Sequence, residues 1–250
     1  MRAQRAALLG LVLPLLLWNN ATGEPVAVRF AEGLTRAFPV VRTLDGQTLA
    51  IGDLVQIARE DRVESRLSFR FKDGSLHEET AVFSQRDVFR LMSYRLIQRG
   101  PSFPETIEAA IDREHGRYTV RHRGDDDSPE EILEGQVDLP DDAYNGMVSL
   151  ILKNLRPGTG ETVSLVAFTP KPRMVRVRLT PIANDRVLLH DVPMQATRYL
   201  IHPELGLFAS LILFDTVDAR CWILPGEAPA FVKAEGPLYF MGPVWRIEPY

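Results

Sequence analysis

Five histidines, His77, His115, His122, His190 and His202, are the side chains best suited to proton transfer or metal ligation near neutral pH. No two of them stand at an HxxxH or HExxH spacing, so nothing marks a helical pair of imidazole ligands. The nearest approach to a site is His77-Glu78-Glu79. It follows the turn signal Asp73-Gly74, and the reading of those residues is a solvated hairpin end rather than a metal or general-base centre. Asp125-Asp126-Asp127, with Glu130 and Glu131 close by, offers oxygen ligands for a hard cation. Calcium loops alternate their acidic positions around a glycine bend to collect six to eight oxygens. Here the acids are consecutive, and the expectation is a solubilising loop. G-x-S-x-G, G-x-G-x-x-G and the P-loop are absent, and Gly158-Thr159-Gly160 follows a helical pattern instead of a strand, which does not make a phosphate cradle. The single cysteine, Cys221, has no internal disulfide partner. Set against Trp222-Ile223-Leu224, it reads as a small buried hydrophobe, with a nucleophile or an intermolecular disulfide as the alternatives. No catalytic residue, metal ligand or cofactor is assigned.

One charged group is left. Lys171, Arg173, Arg176 and Arg178 lie in KPRMVRVRL, where alternation puts Arg176 and Arg178 on one face and Val175, Val177 and Leu179 on the other. This is either the wet face of an ordinary strand or a patch that meets an anionic partner, lipid headgroups or an acidic protein surface.

The elements that must carry these residues are mostly strands. Arg62 to Lys72 alternates cleanly: Val63, Leu67, Phe69 and Phe71 share one face, and Arg62, Glu64, Arg66, Arg70 and Lys72 share the other. Asp73-Gly74 then predicts a tight hairpin, with the return strand over 78–83 and another over 88–98. A second hairpin is expected from 107–112 and 117–123 about Glu114-His115-Gly116. Further strands are predicted at 161–168, 173–180, 186–192, 196–202 and 207–215. The Pro- and Gly-rich end, 225–250, is expected to pack as short edge strands and turns, because proline cannot donate to a ladder. One helix interrupts the strands. Over about 142–155, Ala143, Met147, Leu150, Ile151 and Leu155 share a face, Asp141 and Asp142 suit an N-cap, and Pro157-Gly158 ends it.

Composition fits a folded domain: 25% charged and 45% hydrophobic residues, a net charge of −4 and a pI near 5.8. That balance excludes general nucleic-acid binding, which draws on a positive excess. Residues 1–23 read as a cleavable export signal: Arg2 and Arg5, then an apolar run from Ala6 to Trp18 containing Pro14, then small residues at Ala21 and Gly23. The run is shorter than the roughly 20 residues of a spanning helix. Cleavage is therefore expected to leave no membrane anchor, and the absence of a nearby cysteine argues against a lipid anchor. Residues 24–250 read as one β-rich domain, exported and placed in a bacterial periplasm.

The inner face expected from these strands is Val63, Leu67, Phe69, Phe71, Phe83, Leu165, Val175, Val177 and Leu179. In a tightly closed barrel these residues fill a core; in a wider one they line a pocket for an apolar ligand. The layout of export signal, successive hairpins, the DLPDDAYNGMVSLILKNLRPG helix and the VSLVAF and RMVRVRL strands resembles exported bacterial proteins of unknown function with a shape similar to the lipoprotein-carrier fold of LolA and LolB. The resemblance implies a strongly curved antiparallel sheet, an open or incomplete barrel, wrapped around a central amphipathic helix. It implies a non-enzymatic carrier of lipid or another hydrophobic ligand in the cell envelope. The alternatives are an envelope interaction module with a filled core, working through the basic patch, and a hydrolase with a dispersed active site.

Overall fold

The computed structural model describes residues 23–124, 127–189, 192–204 and 217–250. The leader up to residue 22, Asp125 and Asp126 of the acidic loop, His190 and the strand expected at 207–215 lie outside the described residues.

Among the described residues, alternation and turn chemistry build fifteen strands and one short helix. Before the helix come β1 (Thr35–Ala37), β2 (Pro39–Arg42), β3 (Thr48–Arg59), β4 (Arg62–Phe71), β5 (Leu76–Gln85), β6 (Phe89–Arg99), β7 (Thr106–Asp112), β8 (Arg117–Arg123) and β9 (Glu131–Gln136). After α1 (Val148–Asn154) come β10 (Glu161–Thr169), β11 (Lys171–Leu189), β12 (Val192–Glu204), β13 (Ala219–Leu224), β14 (Ala230–Gly236) and β15 (Trp245–Pro249). They form one sheet in the order β10-β11-β12-β13-β14-β15-β2-β3-β4-β5-β6-β7-β8-β9, with β1 beside β3. The chain is mainly β, its neighbours in the sheet are antiparallel, and the order runs from β10 to β9 without closing.

The expected hairpins form where the turn residues demand them. Gly74, at φ +87°, turns β4 into β5, and Gly116, at φ +59°, turns β7 into β8. The strand expected at 173–180 and residues 186–189 of the next form one continuous β11, with a register shift between Pro181 and Ala183, and Val192 opens β12. Bending the strand there removes the need for a turn.

The C-terminal stretch corrects the sequence expectation. β14 and β15 are interior to the sheet order, and the β15–β2 ladder joins the C-terminal half to the N-terminal half. The prolines do not forbid this, because Pro225, Pro229, Pro237 and Pro243 fall between strands, and Pro249 is the last residue of its ladder. β3 has no clean alternation because its polarity is inverted. Gly52 and Gln56 are buried while Ile51 and Ile57 are exposed. Gly52 sits beneath Phe69, where a Cβ would lie 2.7 Å from the ring.

The helix is also shorter than expected, seven residues instead of fourteen. Residues 142–145 are held on the edge of β10 instead. Ala143 bridges Ser164, Tyr144 N donates to Ser164 O, and Ser164 N donates to Asp142 O. The Asn145 side chain continues the pattern, accepting from Val166 N and donating to Val166 O, both at 2.8 Å. Satisfying β10's open edge outweighs extending the helix, and it also blunts an edge that could otherwise recruit another chain. Asp142 consequently caps nothing. The N-cap is Met147, with no side-chain hydrogen bond and no acidic residue in the first turn.

Residues 23–33 run across the helix as a strap. Asn154, buried at the helix end, accepts from Arg29 N (2.9 Å) and Phe30 N (2.8 Å) and donates to Leu150 O (2.9 Å). Val26 N donates to the Tyr144 hydroxyl at 2.8 Å, and Glu32 pairs with Lys153. Asn154→Ala leaves two strap amides without their acceptor, and the expected loss is about 1–3 kcal/mol. Urea unfolding, with amide exchange read at Arg29 and Phe30, checks it; unchanged protection at those amides would contradict the strap's attachment.

The largest core cluster joins the helix to strands of both halves. Leu150, Ile151 and Leu152 pack with Val63, Phe83 and Leu91 of β4–β6 and with Val163, Val177, Leu179 and Ile223 of β10, β11 and β13. A second cluster gathers Val41, Ala50, Phe69, Phe71, Phe103 and Trp245. Tyr94 of β6 and Phe168 of β10, far apart in the sheet order, stack at 6.2 Å with an 8° interplanar angle.

Candidate functional site

The nine residues expected to line an inner pocket divide between the two clusters. Val63, Phe83, Val177 and Leu179 are buried in the first, with Leu165 and Val175 partly buried against it. Phe69 and Phe71 are buried in the second, with Leu67 against it. They are in packed contact with neighbours, and none lines any of the three cavities described below. The basic cluster also divides. Arg176 Nη1 lies 3.0 Å from the fully buried Asp142 carboxylate, and Arg178 pairs with Glu204 on β12. Lys171 and Arg173 stay exposed.

Cys221 is buried in the first cluster, and burial pushes its thiol up to about 12. In the folded protein a thiol-specific disulfide reagent is expected to leave Cys221 untouched at pH 8 and to react once denaturant is added. Prompt native-state labelling would show an open path to it.

Among the described residues no group of three or more His, Cys, Asp or Glu side chains could hold a metal ion, and no helix is long and apolar enough to cross a membrane. Three cavities among the described residues bear on a site. One of about 560 Å3 has Arg29 and Lys153 in its wall, but both are engaged, with Leu155 O and Glu32. One of about 440 Å3 lies around Ser93, Tyr94, Ile111 and Tyr118. The third, of about 450 Å3, lies between β6, β7 and β10 and the 238–240 turn. Its wall is mostly apolar, from Leu96, Ile107, Val166, Phe168, Leu238 and Tyr239, and a carboxylate and a phenol with shifted pKa values, Glu79 and Tyr94, stand at one end.

That polar end is built by strand phase. Phe83 points inward, so Ala81, Glu79 and His77 must as well, because they follow at two-residue steps. His77 is 1% exposed, which corrects the solvated hairpin end expected from its neighbours in sequence. Gln98 sits directly opposite His77 on β6. Its Nε2 donates to Leu238 O and to His77 Nδ1, both at 2.8 Å. Flipping the amide would set two oxygens against each other at Leu238, so the amide is fixed and His77 Nδ1 is an acceptor. The ring proton is then on Nε2, 3.3 Å from Glu79 Oε1 but out of line for a hydrogen bond. Burial pushes the Glu79 carboxyl up, but the neighbouring His77 ring and the Tyr94 hydroxyl outweigh it and hold the group below its ordinary 4.5. Burial and the adjacent Glu79 push the Tyr94 hydroxyl well above its ordinary value. Glu105, also in the cavity wall, contacts His122.

These observations define a mainly-β protein built on one unclosed antiparallel sheet, with a half-enclosed carboxylate in a largely apolar cavity. No family model matches the chain, and no curated protein matches it. One solved structure similar to it is a β-barrel-like protein of the domain of unknown function DUF1849 from Brucella abortus, at 10% identity and a TM-score of 0.46, covering 88% of this chain and 98% of that one. The comparison does not point to LolA or LolB.

Proposed function

We propose that the chain is an exported, non-enzymatic binding protein that holds a small apolar molecule in the cavity between β6, β7 and β10. In this reading the sheet is a strongly curved, incomplete barrel around α1, and the cavity is the gap left where β10 comes back over β6 and β7. The observation that carries it is the 450 Å3 cavity itself: apolar walls, a few convergent polar groups at one end, and the Tyr94–Phe168 stack bringing distant strands together there. Export, and a place in the cell envelope, rest on the leader-like residues 1–23.

The pKa directions favour binding over acid–base catalysis. A general base or acid works best with a pKa near the operating pH. Here Glu79 is moved down and Tyr94 up, both away from neutrality, so the pair is suited to holding a fixed charge. Organic-solvent extraction of the purified protein, read by mass spectrometry, is expected to release a co-purifying apolar species. A protein that is consistently empty, and that takes up no apolar probe, would sink this function.

A further inference from the structure

We propose that the cavity takes an organic cation, with an ammonium group at Glu79 and an apolar body against the aromatic wall. This rests on reading the cavity as an apolar-ligand site and adds the chemistry of the ligand's polar end.

The first argument is charge. Two carboxylates, Glu79 and Glu105, line the cavity, and no Lys, Arg or His side chain does. Glu105 already meets His122. Among the described residues Glu79 has no Lys or Arg at ion-pair distance; its one basic neighbour is His77. The fixed Gln98 amide keeps His77 Nδ1 an acceptor and turns the Nε2 edge of the ring toward Glu79. The Glu79 side chain is a quarter exposed, toward the cavity, and a carboxylate so far withdrawn from water is ordinarily matched by a cation.

The second argument is the unsatisfied donor. His77 Nε2 is a fully enclosed polar atom without a hydrogen-bond partner, and its nearest acceptor is that same carboxylate. Such an atom is rare in a folded protein and marks a site whose arrangement serves something besides stability.

The third is the wall. Tyr94, Phe168, Tyr239 and Phe240 present aromatic surface around the cavity, and Phe240 is 56% exposed at its rim. Aromatic faces beside a carboxylate suit an alkylammonium group, which gains from the ring quadrupoles as well as from the charge. An inorganic cation is a poor fit, because it needs several oxygens and finds one free carboxylate. An anion meets two negative charges.

The test compares decylamine, decanol and decanoate, each below its aggregation concentration, by isothermal titration at pH 7 on the purified protein. Decylamine is expected to bind at least about tenfold tighter than either of the others, a difference of about 1.4 kcal/mol. Glu79→Gln is expected to bring decylamine down to the affinity of decanol and leave decanol unchanged. Equal binding of decylamine and decanol to the unmodified protein would overturn the inference while the cavity reading stands. Failure of all three to bind would overturn the cavity reading itself. A preference for the amine that survives in folded Glu79→Gln would remove Glu79 from its role. The ranking on the unmodified protein decides the matter even if the variant does not fold.

The pH dependence has a defined sign. The groups facing Glu79 are His77 and Tyr94, with Glu105 and its His122 across the cavity. Because the Glu79 carboxyl is held below its ordinary 4.5, the preference for the amine disappears as pH falls through that lowered value.

Discussion

In Ile151→Ala the free energy of unfolding is expected to fall by about 2–5 kcal/mol, toward the upper end because the site cannot collapse. Ile151 is fully buried in the middle of α1. Its neighbours come from two directions: Val63, Phe83 and Leu91 on one half of the sheet, and Val163, Val177 and Leu179 on the other. Those side chains are fixed by ladders that run the length of the sheet, so they cannot all move inward to fill a void. The lost transfer energy and the cavity therefore add. Ile151→Val removes one methyl group and is expected to cost about 0.5–1.5 kcal/mol. Urea denaturation checks both, with the midpoint moving and the slope holding. A loss below about 1 kcal/mol for Ile151→Ala would mean that the helix is not enclosed by the two halves, and the incomplete-barrel reading would fall with it.

The second large effect is at Asp142. Asp142→Ala is expected to cost about 2–4 kcal/mol, below the top of the range for a broken buried ion pair because Arg176 stays one-third exposed to solvent. The Asp142 carboxylate is fully buried, and Oδ2 accepts from Arg176 Nη1 at 3.0 Å and from Gly23 N at 2.9 Å. Its loss leaves a guanidinium facing a cavity and a backbone amide without an acceptor. It also loosens residues 142–145, which cover the edge of β10. Asp142→Asn keeps an acceptor and most of the volume, and is expected to recover at least half of the loss. If alanine and asparagine cost the same, the negative charge is what matters and the edge-covering role is secondary. If neither costs anything, the pairing seen with Arg176 does not contribute to stability.

Both predictions concern residues that the sequence singled out, and one of them, Asp142, for another purpose. Asp142 stood as a helix cap because it precedes an amphipathic run. It became a buried ion-pair partner because the open edge of β10, more than twenty residues later, competes for the same backbone. Ile151 was legible as an inward-facing helical residue, since it shares a face with Met147 and Leu155 at helical spacing. The Glu79 site was half legible. The phase set by Phe83 already sends His77 and Glu79 inward, and a longer return strand would have shown it. Tyr94 and Gln98 arrive from the next strand, and the Leu238 carbonyl that fixes the Gln98 amide comes from 140 residues further on. No local pattern announces that convergence.

By itself the sequence determined the strand-rich character, the two hairpins at Asp73-Gly74 and about His115-Gly116, the inward face of β4, and a helix somewhere within 142–155. These depend on side-chain periodicity and turn geometry, which act over a few residues. The order of the strands, the interior place of β14 and β15, the shortening of the helix and the enclosed carboxylate at Glu79 were decided only in the tertiary structure. Each follows from satisfying backbone and polar groups between segments distant in the chain, and that competition leaves no local trace.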